Sequence, residues 1–170
     1  TGLTEERGEF LGIAWGDYDE DGFVDLALGI YEIDQSIQLF HNNRDGTFDR
    51  VLEGVLVMDR VSPRQPVWAD QDNDGDLDLF VSSYHELPDA FFRNEGGGIF
   101  HRVTMGAWVS TPGTGFNATW GDYDGDGWVD LFVATGRARD RLYRNRGDGT
   151  MEPVDSEASR QVGDSYGCAW

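Results

Sequence analysis

The stretch Asp122-Tyr123-Asp124-Gly125-Asp126-Gly127-Trp128-Val129-Asp130 places carboxylates at loop positions 1, 3, 5 and 9 and a glycine at position 6. A hard divalent cation takes six to eight oxygen ligands at about 2.3–2.6 Å, and a tight loop that turns alternate side chains inward supplies them from few residues. The spacing therefore predicts a Ca²⁺ loop. Gly127 permits the sharp turn, and Trp128 at position 7 would offer its backbone carbonyl.

The pattern stands twice more, as Asp17-Tyr18-Asp19-Glu20-Asp21-Gly22-Phe23-Val24-Asp25 and Asp70-Gln71-Asp72-Asn73-Asp74-Gly75-Asp76-Leu77-Asp78. A lone acidic turn is often just solvated. Three in register predict three cation sites, because carboxylates this close would repel one another at every copy without a counter-charge. Asp76 and Glu20 lie at loop positions whose side chains are expected to face outward. EF-hand loops are excluded: they need a bidentate Glu at position 12 between helices, and position 12 is Leu28, Val81 and Val133 in strand-like surroundings.

Around these loops the rest of the text also repeats. Trp15, Trp68, Trp120 and Trp170 recur about every 50 residues, and the first three stand just ahead of a loop. Behind each loop come Val24-Asp25-Leu26-Ala27-Leu28, Leu77-Asp78-Leu79-Phe80-Val81 and Val129-Asp130-Leu131-Phe132-Val133. Further on stand Leu39-Phe40-His41-Asn42, Phe91-Phe92-Arg93-Asn94 and Leu142-Tyr143-Arg144-Asn145, each leading into a Gly-rich turn. In the first unit this predicts strands over Phe10 to Trp15, over Val24 to Ile30, through Leu39 to Asn42, and over Thr47 to Leu52. No stretch of useful length has a helical period.

Four antiparallel strands every 50 or so residues predict an all-β fold of β-propeller blades. The expected bounds are about 8–54, 62–106 and 114–156, with the first strand of a next blade at about 163–170. Closed propellers use about four to eight blades. Three blades and one strand therefore predict either a segment of a longer propeller, its opening Thr1-Gly2-Leu3 the tail of a preceding unit, or a protomer that closes its ring by self-association. The variable connections, Glu53 to Pro66, Thr104 to Phe116 and Asp155 to Asp164, are expected on the surface, where partners would bind.

The loop Trp-Gly-Asp-Tyr-Asp-x-Asp-Gly-x-x-Asp-Leu, followed by Leu-Tyr-Arg-Asn-x-Gly-Asp-Gly-Thr, resembles the FG-GAP/VCBS-type repeat, especially the form found in bacterial proteins of the ASPIC/UnbV group. The likeness covers residues 10 to 170. It implies a β-propeller that holds Ca²⁺ between the first two strands of each blade, in secreted or surface proteins, as in the integrin α-subunit head. Carried over by position, the ligands would be Asp17, Asp19, Asp21 and Asp25; Asp70, Asp72, Asp74 and Asp78; and Asp122, Asp124, Asp126 and Asp130. The backbone carbonyls of Phe23, Asp76 and Trp128 would complete the three sites. Integrin-type ligand recognition does not carry over, because the Phe-Gly and Gly-Ala-Pro elements are not spelled out here. In the second blade Gly96-Gly97-Gly98 replaces the usual Gly-Asp-Gly turn.

Composition narrows the function. Hydrophobic residues at 39% and aromatics at 13% argue for a folded core. A net charge of −19, with every basic residue an arginine, argues against nucleic acid or an anionic membrane surface as partner. No apolar run approaches the roughly 20 residues that span a bilayer, and no signal peptide is read in this chain. Cys168 is the only cysteine, so no internal disulfide forms. No Gly-x-Ser-x-Gly or phosphate loop appears, and His41, His85 and His101 read as surface or strand-end residues. The sequence thus points to a non-catalytic, extracellular or cell-surface Ca²⁺ module for adhesion, scaffolding or protein–protein interaction. Two alternatives are a carbohydrate-binding propeller, using Trp108, Tyr84 or Trp128 as sugar platforms, and an accessory propeller on a secreted enzyme.

Overall fold

Each Asp loop is the bend of a hairpin. In the computed structural model, which describes residues 9–160 apart from 33 and 137, together with 162–163 and 165–169, β1 (Phe10–Gly16) enters the first loop and β2 (Asp25–Ile30) leaves it. Strands β3 (Gln38–Asn42) and β4 (Phe48–Arg50) complete an antiparallel sheet in chain order. After a one-turn helix α1 (Val55–Met58), the arrangement repeats as β5 (Pro63–Ala69), β6 (Asp78–Ser83), β7 (Ala90–Asn94) and β8 (Phe100–Val103). A second one-turn helix, α2 (Ala107–Ser110), precedes β9 (Gly115–Gly121) and β10 (Asp130–Thr135). The short β11 (Ala138–Arg139) intervenes before β12 (Arg141–Asn145) and β13 (Met151–Val154) finish the third sheet.

The fold is all-β and propeller-like, built from three four-stranded blades that do not close a ring among the described residues. In the region expected to open a fourth blade, β14 (Val162–Gly163) pairs with β11. Asp164, Trp170, Gly8 and the opening Thr1-Gly2-Leu3 lie outside the described residues.

The second strand of a blade is sandwiched on both faces, which is why its apolar residues run on without alternation. All six residues of β2 and of β6 are buried. Between blades 1 and 2 the core gathers Ala27, Leu39, Leu79, Val81 and Phe92 around Leu56 of α1. Between blades 2 and 3 it gathers Phe80, Phe91, Leu131, Val133 and Tyr143 around Trp108 and Val109 of α2. Phe80, Phe91 and Phe92 are wholly buried, each stabilising the stack by roughly 2–3 kcal/mol.

The alternative that makes Trp108 a sugar platform needs correction. The connections carry α1 and α2, single turns too short to show a period, each entered through a glycine with positive φ (Gly54 at 103°, Gly106 at 110°). Trp108, read as a candidate sugar platform, is only 2% exposed. Helix α2 folds it back between the blades, 4.5 Å from the Phe91 ring centre and stacked on Phe80.

Close approach of the blades depends on glycine. A Cβ on Gly12 or Gly29 would collide with the Arg64 carbonyl, and one on Gly16 with the Trp68 indole. Trp68 in turn stacks on Tyr18 of the preceding loop at 6.4 Å. The equivalent face of blade 1 has no blade before it among the described residues: Leu11, Ile13 and Trp15 are 39%, 58% and 54% exposed.

Gly29→Ala is expected to cost about 2 kcal/mol or more in urea unfolding, because the clash is with backbone that cannot rotate away. Gly167→Ala, whose Cβ would meet open space, should stay within about 0.5 kcal/mol. Equal losses would contradict the packing described for the seam between blades 1 and 2.

Candidate metal centre

The three Asp loops share one hydrogen-bond plan. The position 1 carboxylate accepts the N–H groups of positions 5 and 6: Asp17 from Asp21 and Gly22, Asp70 from Asp74 and Gly75, Asp122 from Asp126 and Gly127, all within 2.9–3.1 Å. The position 5 carboxylate accepts the position 7 N–H, with Phe23, Asp76 and Trp128 donating at 2.9, 3.0 and 3.0 Å. Gly22, Gly75 and Gly127 hold φ of 89°, 101° and 90°. Position 4 is left-handed as well, at Glu20 (59°), Asn73 (58°) and Gly125 (77°), a demand the glutamate does not announce.

Position 9 is the hub. Asp25, Asp78 and Asp130 are 0%, 1% and 0% exposed. One oxygen of each accepts the position 2 N–H, from Tyr18 at 3.4 Å and from Gln71 and Tyr123 at 3.0 Å. The other accepts the N–H of Asn42, Asn94 or Asn145 on the third strand, each at 2.8 Å. Each asparagine donates Nδ2–H to the position 8 carbonyl, of Val24, Leu77 or Val129. Asn94 and Asn145 donate also to the preceding blade, to the Tyr18 carbonyl at 2.8 Å and the Gln71 carbonyl at 2.7 Å. Sequence reading quoted these asparagines without giving them a role. Their signal was identity in three copies while their neighbours changed.

Oxygen atoms converge within 4.8 Å of one another in Asp17, Asp19 and Asp21, in Asp70, Asp72 and Asp74, and in Asp122, Asp124 and Asp130. Asp25 joins Asp19 and His41 in an overlapping group. Asp78 is not part of the second group, and its two oxygens face Gln71 and Asn94. Asp126, outside the third, is turned to Arg144 at 2.9 Å. At position 7, Phe23 lies under the Arg44 guanidinium at 5.1 Å, Trp128 lies against Gly147, and Asp76 sits half-buried near Gly96.

His41 was missed as a site residue. Its Nδ1 stands 3.2 Å from an Asp19 oxygen and 3.4 Å from one of Asp25. In the other copies the same place holds arginine, with Arg93 Nε 3.3 Å from Asp72 and Arg144 Nε 2.8 Å from Asp124. The signal lay in the aligned segments, where His-Asn in one copy faces Arg-Asn in two.

The residues fit a hard cation. All the clustered loop ligands are carboxylate oxygens, and buried Oδ1 atoms of Asp19 and Asp72 accept no hydrogen bond, leaving free lone pairs where a native interior rarely does; the Asp76 side chain, expected to face outward, has its Oδ1 buried instead. Burial pushes Asp78 up to about 7 and raises Asp25 and Asp130. Asp72 is raised by burial and then by the charge of Asp74. Hydrogen bonds from Arg44 and Arg144 hold Asp21 and Asp126 below the usual range. A carboxylate raised by burial is one that a bound cation would draw back down.

Asn145→Ala should cost about 3 kcal/mol in urea unfolding, since it strands the Gln71 carbonyl in the seam. Asn42→Ala, with no such bond to a preceding blade among the described residues, should cost about 1 kcal/mol less. Equal losses would contradict the asparagine's part in joining blades.

Comparison with known proteins agrees with this architecture. Human cartilage acidic protein 1 is 27% identical over 148 residues, covering 81% of this chain and 22% of the relative. The mouse protein is 25% identical over 144 residues with the same coverage. The chain thus spans about a fifth of the length of these relatives. Among solved structures, an Agrocybe aegerita lectin, described for its specific recognition of non-reducing terminal N-acetylglucosamine, superposes with a TM-score of 0.56 at 19% identity. That match covers 91% of this chain and 40% of the lectin chain, and it speaks for the fold alone. The model of the FG-GAP-like repeat matches residues 17–81, 70–133 and 122–170, one match for each Asp loop, and the chain belongs to that family.

Proposed function

We propose that the chain is a non-catalytic, calcium-stabilised binding module that works outside the cell in adhesion, scaffolding or protein–protein interaction. The observation that carries this reading is the triplicate convergence of carboxylate oxygens within 4.8 Å in loops of one hydrogen-bond plan. The residues that would hold the ions are Asp17, Asp19, Asp21 and Asp25; Asp70, Asp72, Asp74 and Asp78; and Asp122, Asp124, Asp126 and Asp130, with the carbonyls of Phe23, Asp76 and Trp128. Bound calcium supplies charge neutralisation and pins the turn. Outside cells calcium is millimolar, so sites with dissociation constants of about 10⁻⁴–10⁻³ M fill.

Family membership supports binding over catalysis. The relative's name attaches it to cartilage and to acidity, and the present chain is acidic too, at −19. Among the described residues no helix is long and apolar enough to cross a membrane. The exposed Leu11, Ile13 and Trp15 face is where a second chain or a further blade would pack, as blades 2 and 3 pack on the blade before.

Calcium at ten times its dissociation constant adds about 1.4 kcal/mol per site, so three sites should raise Tm by roughly 10 °C over EDTA. Calcium should reverse the loop carboxylates' part of the pH dependence. Without metal, Asp78 and Asp89 titrate at about 7 and about 6 in the folded chain, above the ordinary value of about 3.9. The folded state then binds more protons than the unfolded, and stability falls as pH rises through that window. With calcium Asp78 must be deprotonated, so the metal's contribution to stability should rise over the same window, while Asp89, paired with Arg141 at the other end of the blades, contributes alike in both conditions. An unchanged Tm in EDTA, or the same slope under both conditions, would overturn the calcium reading.

A further inference from the structure

The end of the blades opposite the Asp loops carries a cleft of about 700 Å³, within the usual range for small-ligand sites. It is lined by Tyr84, His85 and Glu86 after β6, by Thr114 and Phe116 entering β9, and by Tyr166. We propose that this cleft binds a neutral saccharide, with a pyranose ring lying on the open face of Tyr166 and hydroxyls meeting Glu86 and His85. The proposal deepens the binding-module reading by naming a ligand class, and it does not depend on calcium.

The aromatic groups form a continuous row across three blades. Tyr31 meets Tyr84 edge-on at 5.3 Å, Tyr84 meets His85 at 4.3 Å, and Phe116 meets Tyr166 at 5.0 Å. Between Tyr84 and Phe116 lies the Arg64 guanidinium, 5.1 Å from one ring centre and 3.7 Å from the other. Tyr166 and Tyr31 remain 66% and 42% exposed, while Tyr84 and Phe116 are half-buried. The open rings at the two ends of the row, Tyr31 and Tyr166, suit a sugar, whose C–H face is apolar and whose rim is polar.

Charge narrows the ligand class. A cation is disfavoured because Arg64, which has no carboxylate partner among the described residues, already stands over two of the rings. An anion would face Glu86 in the lining and the net charge of −19, and Arg64, the cation at hand, is already taken up by two rings. A neutral polyol with an apolar face remains.

The site is also held in shape. His85 and Glu86 are consecutive non-glycine residues at φ 60°, a costly conformation that persists only where surroundings impose it. Pro88 bridges to Pro112 across the cleft wall. Below, Arg141 pairs with the buried Asp89 at 2.6 Å. Ser165 donates from its N–H to the Thr135 carbonyl and from its hydroxyl to Asp140, anchoring Tyr166. Of the aromatics expected from sequence to meet sugar, only Tyr84 lies here.

The test is calorimetric titration of the full chain with cellobiose, lactose and N,N′-diacetylchitobiose, and with a glucuronate-containing and a glucosamine-containing disaccharide as charged comparators. At least one neutral disaccharide should bind with Kd at or below about 1 mM, and Tyr166→Ala should weaken it about tenfold. Ile99→Ala, exposed at the opposite end of blade 2, should leave it unchanged. The far-exposed position of Tyr166 keeps that variant folded, which circular dichroism checks. No binding of any neutral disaccharide at about 10 mM, preference for a charged comparator, or undiminished binding by Tyr166→Ala would overturn the proposal. Calcium uptake by the same variant, measured separately, should match that of the unmodified chain, so the saccharide site and the metal reading fail independently.

Discussion

A buried carboxylate that accepts two backbone N–H groups is the constraint on which this fold turns. Burying an ionised aspartate is costly unless hydrogen bonds replace the lost water. Asp25, Asp78 and Asp130 meet that condition by drawing the start of their own loop and the third strand to one point. The asparagine on that strand carries the linkage onward to the previous loop in blades 2 and 3. Loop shape, strand register and blade stacking are therefore coupled, and whatever steadies the loop carboxylates steadies the seams between blades.

The two ends of the blades divide the chemistry. At one end, acidic turns gather carboxylate oxygens beside Arg44, Arg93, Arg144 and His41. At the other, aromatic and polar side chains on the longer connections line an open cleft. This is the division that loops on a rigid scaffold permit: short repeated turns fix geometry, and variable connections are free to recognise.

Much of this was legible in the sequence because it is local. The Asp-Gly spacing, the uninterrupted apolar second strands and the Gly-rich turns each specify a few adjacent residues, and the repeat multiplied the signal. What was not legible depends on distant partners or on conformations without a compositional mark. Trp108 looked exposed because its connection is rich in small polar residues, yet one turn of helix returns it to the seam. His41 looked isolated because its carboxylate neighbours are brought to it by strand pairing. Glu20 carries no sign of the left-handed backbone that its counterpart Gly125 makes obvious. The cleft joins residues from four separate segments, and of these only Tyr84 reads in the sequence as a ligand platform.

The most direct test of the central claim is the number of calcium ions taken up by the metal-stripped chain, read by calorimetric titration at neutral pH. Three ions per chain, bound with release of protons, is the result expected if each Asp loop is a site whose buried carboxylate has a raised pKa. No saturable uptake at millimolar calcium would contradict it.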